Sequence, residues 1–369
     1  MSKPTAGWTS QQAADDPSWI QRLSPEAVQG FDAALQHAKA GGKELVEMEQ
    51  ADFPLPAVSR EALQRALEAT QGPWSMCLLK GFPVERWSES DVRLAYWGMG
   101  LYMGVARTQN RNSDILNDVR DAGGSYKTVN GRGYNTNAEL DFHCDSCDVV
   151  ALLCRRTAKE GGASKVVNSH ALVAEFGRRR PDLVEVLRQP FYYSYQGAQD
   201  PAQPPYYQIP LLGAEDAPFA FRINRKNVNA AQRDFAEVPR LSQAQIEALD
   251  LIDTLLQDPA LCFSMWLEKG DLQLLNNYNV VHSRTSFVDH EAPDDKRHLL
   301  RLWLAVPISQ RLPDNYWGPY YGDSRPGSVR GGFRGSNRTR AFDDFERRQA
   351  ARMGMHYKPF QAPVGSTTA

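Results

Sequence analysis

The sequence predicts a mainly β protein with flanking helices, built as an antiparallel barrel or jelly roll. From Leu140 onward, short runs of β-branched and aromatic residues alternate with Gly and Pro, the pattern of short strands joined by tight turns. Helical periodicity is concentrated before residue 103 and in two insertions, near Ser169–Gln189 and Ser242–Gln257. A chain of 369 residues with 42% apolar side chains can bury a sizeable core, and large β enzymes of this length form one domain.

Local signals place the individual elements. In the first part of the chain they predict, in order, a helix over 24–40 that stops at Gly41 and Gly42, a helix from Ser59, a short buried strand over Met76–Phe82 and a helix over Ser88–Tyr102 capped by Ser88 or Ser90. The second insertion opens with a capping box formed by Ser242 and Gln245. A charged helical run follows much later, over Ala341–Met353.

These elements predict three segments. They are an N-terminal helical segment that packs on the barrel (1–73), a jelly-roll domain with helical insertions (74–313) and a C-terminal extension rich in Gly, Arg and Tyr (314–369).

Composition limits the partners and the location that we expect. The net charge of −2 gives no general attraction to nucleic acids or anionic membranes. The segment Met1–Asp16 is polar and lacks the pattern of a signal peptide, and no stretch reaches the roughly 18 apolar residues of a membrane span. Five cysteines, an odd number, indicate free thiols in a reducing compartment. We expect a cytoplasmic protein with a small-molecule substrate; homo-oligomerisation stays open.

Three residues carry the strongest chemical signal: His143, Asp145 and His282. If a strand runs through His143, then residues i and i+2 lie on the same face of it. His143 and Asp145 could then coordinate one ion together, and His282 could coordinate the same ion from another strand. Two imidazoles and one carboxylate leave open positions on an octahedral ion, which is the facial arrangement of non-haem Fe(II) oxygenases. The guanidinium groups of Arg297 and Arg301 follow downstream and suit a carboxylate fork.

The motifs around these residues carry a family resemblance. They are Asp141–Cys154, Gly161–Ser164, Pro181–Val184, Pro239–Ser242, Lys269–Gln273, Val281–Ser286 and Arg297–Leu304. Together they resemble the taurine-dioxygenase-like (TauD/TfdA) family of Fe(II)/2-oxoglutarate oxygenases, from about Trp74 to Pro313. The resemblance implies a double-stranded β-helix, the clavaminate synthase-like jelly roll.

The resemblance also implies cofactors and roles. Fe(II), 2-oxoglutarate and O2 would be used, with His143, Asp145 and His282 as metal ligands. Arg297 takes the place of the residue that binds the C5 carboxylate of 2-oxoglutarate, Ser164 stands where the family usually has a Thr, and Arg301 could touch cosubstrate or substrate. Hydroxylation with release of succinate and CO2 is the default outcome; desaturation or oxidative cyclisation would use the same residues. The carboxylate of Asp145 argues against halogenation.

Two further residues predict a substrate class. Glu139 lies four positions before His143, so strand alternation would aim its carboxylate at the ligand face, where a substrate ammonium could pair with it. Arg225, Arg301 or Arg132 would be structural alternatives as partners of Glu139. Arg225 matches a position where the family tends to have an arginine that could bind a substrate carboxylate. An amino acid or amine is therefore the expected substrate.

Two other functions, a zinc-dependent hydrolase and a nucleic-acid-binding protein, are alternatives to the oxygenase hypothesis. A zinc-dependent hydrolase could use His143, Asp145 and His282 with a water, but it would leave Arg297 and Ser164 without a role. The motif Arg330–Gly335 resembles a short RGG element of nucleic-acid-binding proteins, yet it occurs once and more simply packs near the barrel. Cys144 and Cys147 form a Cys-x-x-Cys pair with no second pair nearby, which favours buried, inert thiols.

Overall fold

The computed structural model describes residues 7–124, 133–335 and 337–359. The helices in these ranges are α1 (Ser10–Asp15), α2 (Pro25–Gly41), α3 (Ala57–Ala69), α4 (Glu89–Met103), α5 (Ser169–Arg179), α6 (Val184–Leu187), α7 (Arg225–Asp234), α8 (Gln243–Leu256), α9 (Trp317–Tyr321) and α10 (Arg340–Arg352). None of the helices so described is both long and apolar enough to cross a membrane.

The strands are short, as the sequence predicts. They are β1 (Ile20–Arg22), β2 (Met76–Lys80), β3 (Val105–Arg107), β4 (Leu116–Val119), β5 (Leu140–His143), β6 (Val149–Arg156), β7 (Glu160–Gly161), β8 (Ser164–Asn168), β9 (Pro190–Ser194), β10 (Tyr206–Pro210), β11 (Phe263–Met265), β12 (Leu272–Asn276), β13 (Val280–Arg284), β14 (Phe287–Val288) and β15 (His298–Ala305).

Two sheets form the jelly roll. The major sheet has the order β1-β2-β12-β6-β15-β3, with β4 also paired to β15, and the minor sheet has the order β11-β8-β13-β5. All of their pairings are antiparallel except that of β1 with β2. Between the sheets, side chains of the major sheet such as Val150 and Trp303 pack with Val166, Met265 and Val280 of the minor sheet. The predicted double-stranded β-helix is confirmed.

Strand alternation separates the two faces of the major sheet. Leu300, Leu302 and Leu304 of β15 pack into the largest apolar cluster, which includes side chains of α2, α3, α4 and α10. The residues between them, Arg301 and Trp303, line a cavity inside the jelly roll. The helices thus cover one face of the sheet and leave the other face for a site.

A second helical layer covers the minor sheet. Helices α5, α6, α7 and α8 and the hairpin of β9 and β10 share an apolar cluster that includes Val167 and Val281 of the minor sheet. The two segments predicted as insertions are therefore part of a layer that packs on one face of the minor sheet.

Most of the element predictions are confirmed, with two corrections at the N-terminal end. Ser88 caps α4 through the Asp91 amide, and the capping box of Ser242 and Gln245 is present. Helix α3 begins at Ala57 rather than Ser59, because the Ser59 hydroxyl is buried and donates to the carbonyl of Ala27 (2.8 Å) instead of capping. The N-terminal segment is also more than helical, since it contributes strand β1 to the major sheet.

Candidate active site

The three metal-ligand candidates converge at one end of the minor sheet. His143 ends β5 and is directly opposite His282 of β13. Each His Nε2 lies 3.8 Å from an Asp145 carboxylate oxygen, and the ligand atoms all lie within 4.8 Å of one another. Asp145 comes after the end of the strand, so it is placed by a loop rather than by strand alternation; its amide donates to Asn277 Oδ1 (3.0 Å). The spacing suits a single ion.

Hydrogen bonding and burial prepare the two imidazoles as ligands. Nδ1 of His143 lies 2.8 Å from the carbonyl oxygen of Asp141, so it donates there and leaves Nε2 for a metal. His282 is buried, and burial together with nearby His143 lowers its pKa to about 3. A neutral imidazole is the form that coordinates metal.

The carboxylate of Asp145 is held in its ionised form. Burial favours protonation, but nearby Arg301, His282 and His143 and a hydrogen bond from Trp303 outweigh it and lower the pKa of Asp145. Trp303 Nε1 donates to Oδ2 over 2.8 Å, and Arg301 Nη1 lies 3.5 Å from the same oxygen. Arg301 is in turn fixed by Gln109, whose Oε1 accepts from its Nε (2.7 Å).

A second cluster of possible ligands is an ion-pair network instead. Glu89, Asp118 and His298 also bring ligand atoms within 4.8 Å of one another. However, Asp118 pairs with Arg93 (2.7 Å), Glu89 pairs with Arg155 (2.8 Å), and His298 Nε2 bonds to Asp118 (2.8 Å). The carboxylates are thus compensated by arginines. His298 points away from the cavity that Arg297 lines, as alternation predicts.

Arg297 also lines the cavity, and one donor of its guanidinium is unsatisfied. It is 5% exposed, and its Nη1 is buried without a hydrogen-bond partner. Burial lowers its pKa to about 10, and the guanidinium lies 5.0 Å from the centre of the Phe287 ring. A Cβ atom on Gly162 would lie 3.2 Å from its Nε, so the Gly-Gly pair leaves room for this side chain. A carboxylate would satisfy the free donor.

Ser164 lines the same cavity but is already hydrogen-bonded. Its hydroxyl lies 3.1 Å from Oε1 and 3.0 Å from Nε2 of Gln273, and Ser164 begins β8 opposite Arg284 of β13.

Cys144 and Cys147 are both buried free thiols, and burial raises the pKa of Cys144 to about 11, so it stays protonated.

The charges of the cavity are strongly unequal. Its volume is about 150 Å³, and among the described lining residues Asp145 is the single carboxylate. The cationic side chains that line it are Arg222, Lys226, Arg284, Arg297 and Arg301. Arg222 and Arg297 are buried, and a buried charge is costly unless a partner or ligand compensates it.

Arg222 is the cavity residue that sequence reasoning missed. It is 1% exposed and donates to neutral partners: the hydroxyls of Tyr207, Tyr320, Tyr321 and Ser146 at 3.0–3.2 Å and, more distantly, the carbonyls of Cys144 and Asp145. Its Nε is buried and has no partner. Arg222 lies three residues before Arg225 in the sequence, but no local pattern indicates that tyrosines from distant segments surround it.

Two predicted substrate contacts lie outside the cavity. The Glu139 side chain is 56% exposed and lies 3.7 Å from Lys165, because β5 begins only at Leu140 and the alternation does not extend to it. Arg225 begins α7 and reaches the acids of α8, Asp250 (2.9 Å) and Asp253 (3.2 Å). Neither residue lines the cavity. Arg132, one of the alternative partners, lies outside the described residues.

Comparison with known proteins agrees with this geometry. The model of the family "Taurine catabolism dioxygenase TauD, TfdA family" matches residues 36–303. The chain belongs to the TauD/TfdA family. It is therefore an Fe(II)- and 2-oxoglutarate-dependent oxygenase.

Individual relatives cover most of the chain. FR-33289 synthase of Streptomyces rubellomurinus (strain ATCC 31215) is 28% identical over 330 residues, which are 86% of this chain and 96% of that protein. An asparagine oxygenase in complex with Fe(II), 3-hydroxyasparagine and succinate has a TM-score of 0.59 at 18% identity, covering 78% of this chain and 93% of that one. The oxygenase OrfP in complex with Fe and alpha-ketoglutaric acid has a TM-score of 0.57 at 15% identity, covering 78% and 95%. At these identities the solved structures show the shared fold.

Proposed function

We propose that this oxygenase binds Fe(II) through His143, Asp145 and His282, binds the C5 carboxylate of 2-oxoglutarate through Arg297, and hydroxylates a small molecule that carries an oxyanion. The observation that supports the assignment is that one cavity contains both the convergent ligand set and the unsatisfied guanidinium of Arg297. A zinc hydrolase would explain only the first of these.

The residues of the chain divide the work as follows. When bound, Fe(II) and 2-oxoglutarate would supply oxygen activation: O2 is the oxidant, one of its atoms goes to the substrate and the other to succinate, and CO2 is released. His143, Asp145 and His282 would hold the ion, because two imidazoles and one carboxylate are the ligand set of non-haem Fe(II) oxygenases. Trp303 and Arg301 fix the orientation and charge of Asp145, while Arg297, next to Ser164, anchors the cosubstrate from the far end. The buried walls exclude water from the reacting C–H bond.

Charge balance supports an anionic prime substrate. Fe(II) and Arg297 together carry as much positive charge as Asp145 and the 2-oxoglutarate dianion carry negative charge. Arg222 is a further buried cation of the lining, and its hydrogen-bond partners are neutral hydroxyls and carbonyls. A carboxylate, sulfonate, phosphate or phosphonate group on the substrate would supply a compensating negative charge.

The expectation of an amine is not supported by this lining. Asp145 would be occupied by the metal, and Glu139 lies outside the cavity, so no second carboxylate among the described lining residues is available for an ammonium group. An amino acid remains compatible through its carboxylate. In the solved relatives, the bound products named are hydroxylated amino acids.

An anaerobic binding screen tests this proposal. Purified protein is loaded with Fe(II) and 2-oxoglutarate, and the visible charge-transfer band of the complex is monitored while amines, amino acids, carboxylates, sulfonates and phosphate monoesters are added. We expect the band itself to form, and oxyanion compounds to perturb it while simple amines do not. Succinate release in air then separates an oxygenase from a hydrolase. Absence of the band, or perturbation by simple amines alone, would contradict the proposal.

A further inference from the structure

A segment outside the family-matched residues lies directly against the metal loop. We call Arg330–Gly335 the strap and Cys144–Cys147 the metal loop, since the latter contains Asp145. The family match ends at residue 303, so the strap lies beyond it. The strap passes between the metal loop on one side and β3 with the following Thr108 on the other.

Two glycines allow the strap to approach the metal loop closely. The Gly332 amide donates to the carbonyl of Ser146 over 2.6 Å. A Cβ atom on Gly331 would lie 2.4 Å from the same carbonyl oxygen, and both glycines have positive φ angles, +74° and +76°. Only glycine combines this backbone conformation with this contact distance. The residue next to Asp145 is thus fixed by a hydrogen bond that a side chain at position 331 would disturb.

Buried contacts anchor the strap on both sides of the glycines. Arg330 is 1% exposed, and its Nε donates to Asp148 Oδ1 over 2.6 Å, immediately after the metal loop. Arg107 of β3 donates to the carbonyl of Gly331 through Nε (3.1 Å), and the Phe333 amide donates to the carbonyl of Thr108 (3.0 Å). These anchors hold the glycines against the loop.

The strap reaches Asp145 by a second route as well. The Phe333 ring packs edge-on against Trp303, with ring centres 5.4 Å apart, and Trp303 Nε1 is the donor to Asp145 Oδ2. Phe333 and Trp303 both line the cavity. One route fixes the backbone next to the carboxylate ligand, and the other supports the indole that orients its side chain.

From these contacts we infer that the strap is a positioning element of the metal centre, with Gly331, Gly332 and Phe333 holding Asp145 in its coordinating geometry. The inference rests on the proposed metal ligands. It also gives the single RGG-like motif a role: its arginine and glycines fit a protein loop rather than a nucleic acid.

Cobalt binding tests the inference without substrate or turnover. Co(II) is added anaerobically to the metal-free full-length protein, and its visible bands report both affinity and coordination geometry. We expect Gly331→Ala and Phe333→Ala to weaken Co(II) binding by about 10- to 100-fold, the range found when groups behind a metal ligand are lost. Phe333→Leu, which keeps an apolar side chain on Trp303, should recover most of the affinity.

A matched control separates positioning from backbone strain. Gly354 also has a positive φ angle (+63°) in the C-terminal extension, but a Cβ there meets nothing within 4 Å. Gly354→Ala should therefore bind Co(II) within about twofold of the parent protein, with unaltered bands. Should Gly331→Ala fail to fold, the pair Phe333→Ala and Phe333→Leu decides. Parent-like affinity and bands in both Gly331→Ala and Phe333→Ala would overturn the inference.

Hydrogen exchange distinguishes failure of the inference from failure of the metal assignment. In the metal-free protein, amides of the metal loop should exchange faster in Gly331→Ala than in the parent or in Gly354→Ala, because the loop loses the strap. If the parent protein binds no Co(II), the metal assignment is wrong, and the exchange data alone test whether the strap restrains the metal loop. Faster exchange in Gly331→Ala would support that restraint, and unchanged exchange would contradict it.

Discussion

The two ends of the cavity are built in different ways. The proposed cosubstrate end, with Arg297 and Ser164, comes from the first residue of β8 and the residue before β15, and it lies within the family-matched residues. The opposite end gathers Arg222, Tyr320 and Phe333 from segments far apart in the chain, two of them beyond the match. An enzyme family that keeps one cosubstrate can keep one end in a compact motif. The proposed substrate end of this chain depends instead on loops and an extension, the kind of segment that usually carries binding specificity.

Loss of a metal ligand should have the largest effect, because both ends depend on the ion between them. His282→Ala should reduce 2-oxoglutarate-dependent succinate formation to background while the melting temperature changes little. His290→Ala, which removes a histidine from a loop outside the cavity, serves as the matched control and should keep parent activity. Substantial turnover in His282→Ala would show that the ligand set is wrong.

Arg297 tests the cosubstrate end alone. Arg297→Ala should raise the KM for 2-oxoglutarate, since losing a buried charge-assisted partner costs roughly 2–4 kcal/mol. That cost corresponds to an increase of about 30- to 900-fold. Arg297→Lys should recover only part of it, because an ammonium cannot form the planar fork. Steady-state succinate assays measure both variants. An unchanged KM in Arg297→Ala would indicate that Arg301 binds the 2-oxoglutarate carboxylate instead.

Arg222 tests the substrate end alone. Arg222→Gln should weaken binding of the best oxyanion ligand from the screen by about tenfold or more, as expected when a hydrogen bond to a charged group is lost. The KM for 2-oxoglutarate should stay within about threefold, which is the reverse of the Arg297 result. Arg225→Gln is the control, since that arginine is three residues away but pairs with surface acids. If Arg222→Gln weakened the binding of the oxyanion ligand and of 2-oxoglutarate equally, the role of Arg222 would be purely structural.

Glu139 should give the smallest effect of all. Its side chain is 56% exposed beside Lys165, so Glu139→Gln should change stability by no more than about 0.5 kcal/mol, the usual range for surface changes. Substrate and 2-oxoglutarate affinities should both stay at parent values. A selective loss of substrate affinity would instead support the prediction from the sequence that Glu139 binds a substrate ammonium group.

The contrast between the two ends also explains what could be predicted from the sequence. The His-x-Asp pair, the distal His282 and Arg297 could be picked out because each belongs to a short motif whose local geometry is set by a strand. Even there, β5 ends at His143 and the Asp145 amide donates to Asn277, so a loop rather than strand alternation brings Asp145 close to the two histidines.

The substrate end depends on contacts between distant segments, which local patterns do not encode. Within Phe221–Arg225 the sequence does not distinguish the two arginines: Arg222 is buried among tyrosines, whereas Arg225 begins α7 and points to α8. Glu139 was misplaced because β5 begins one residue later than the alternation assumed. The jelly roll itself was predictable, since short strands, turns and capped helices each carry a local signal.

The position of the strap in the chain affects when the enzyme becomes competent during its own synthesis. Translation proceeds from the N-terminus, so strands β1–β15 leave the ribosome before residues 330–335. A nascent jelly roll would already present His143 and His282, yet the loop with Asp145 would lack the hydrogen bond from Gly332. We expect tight iron loading to wait until the strap has emerged and seated.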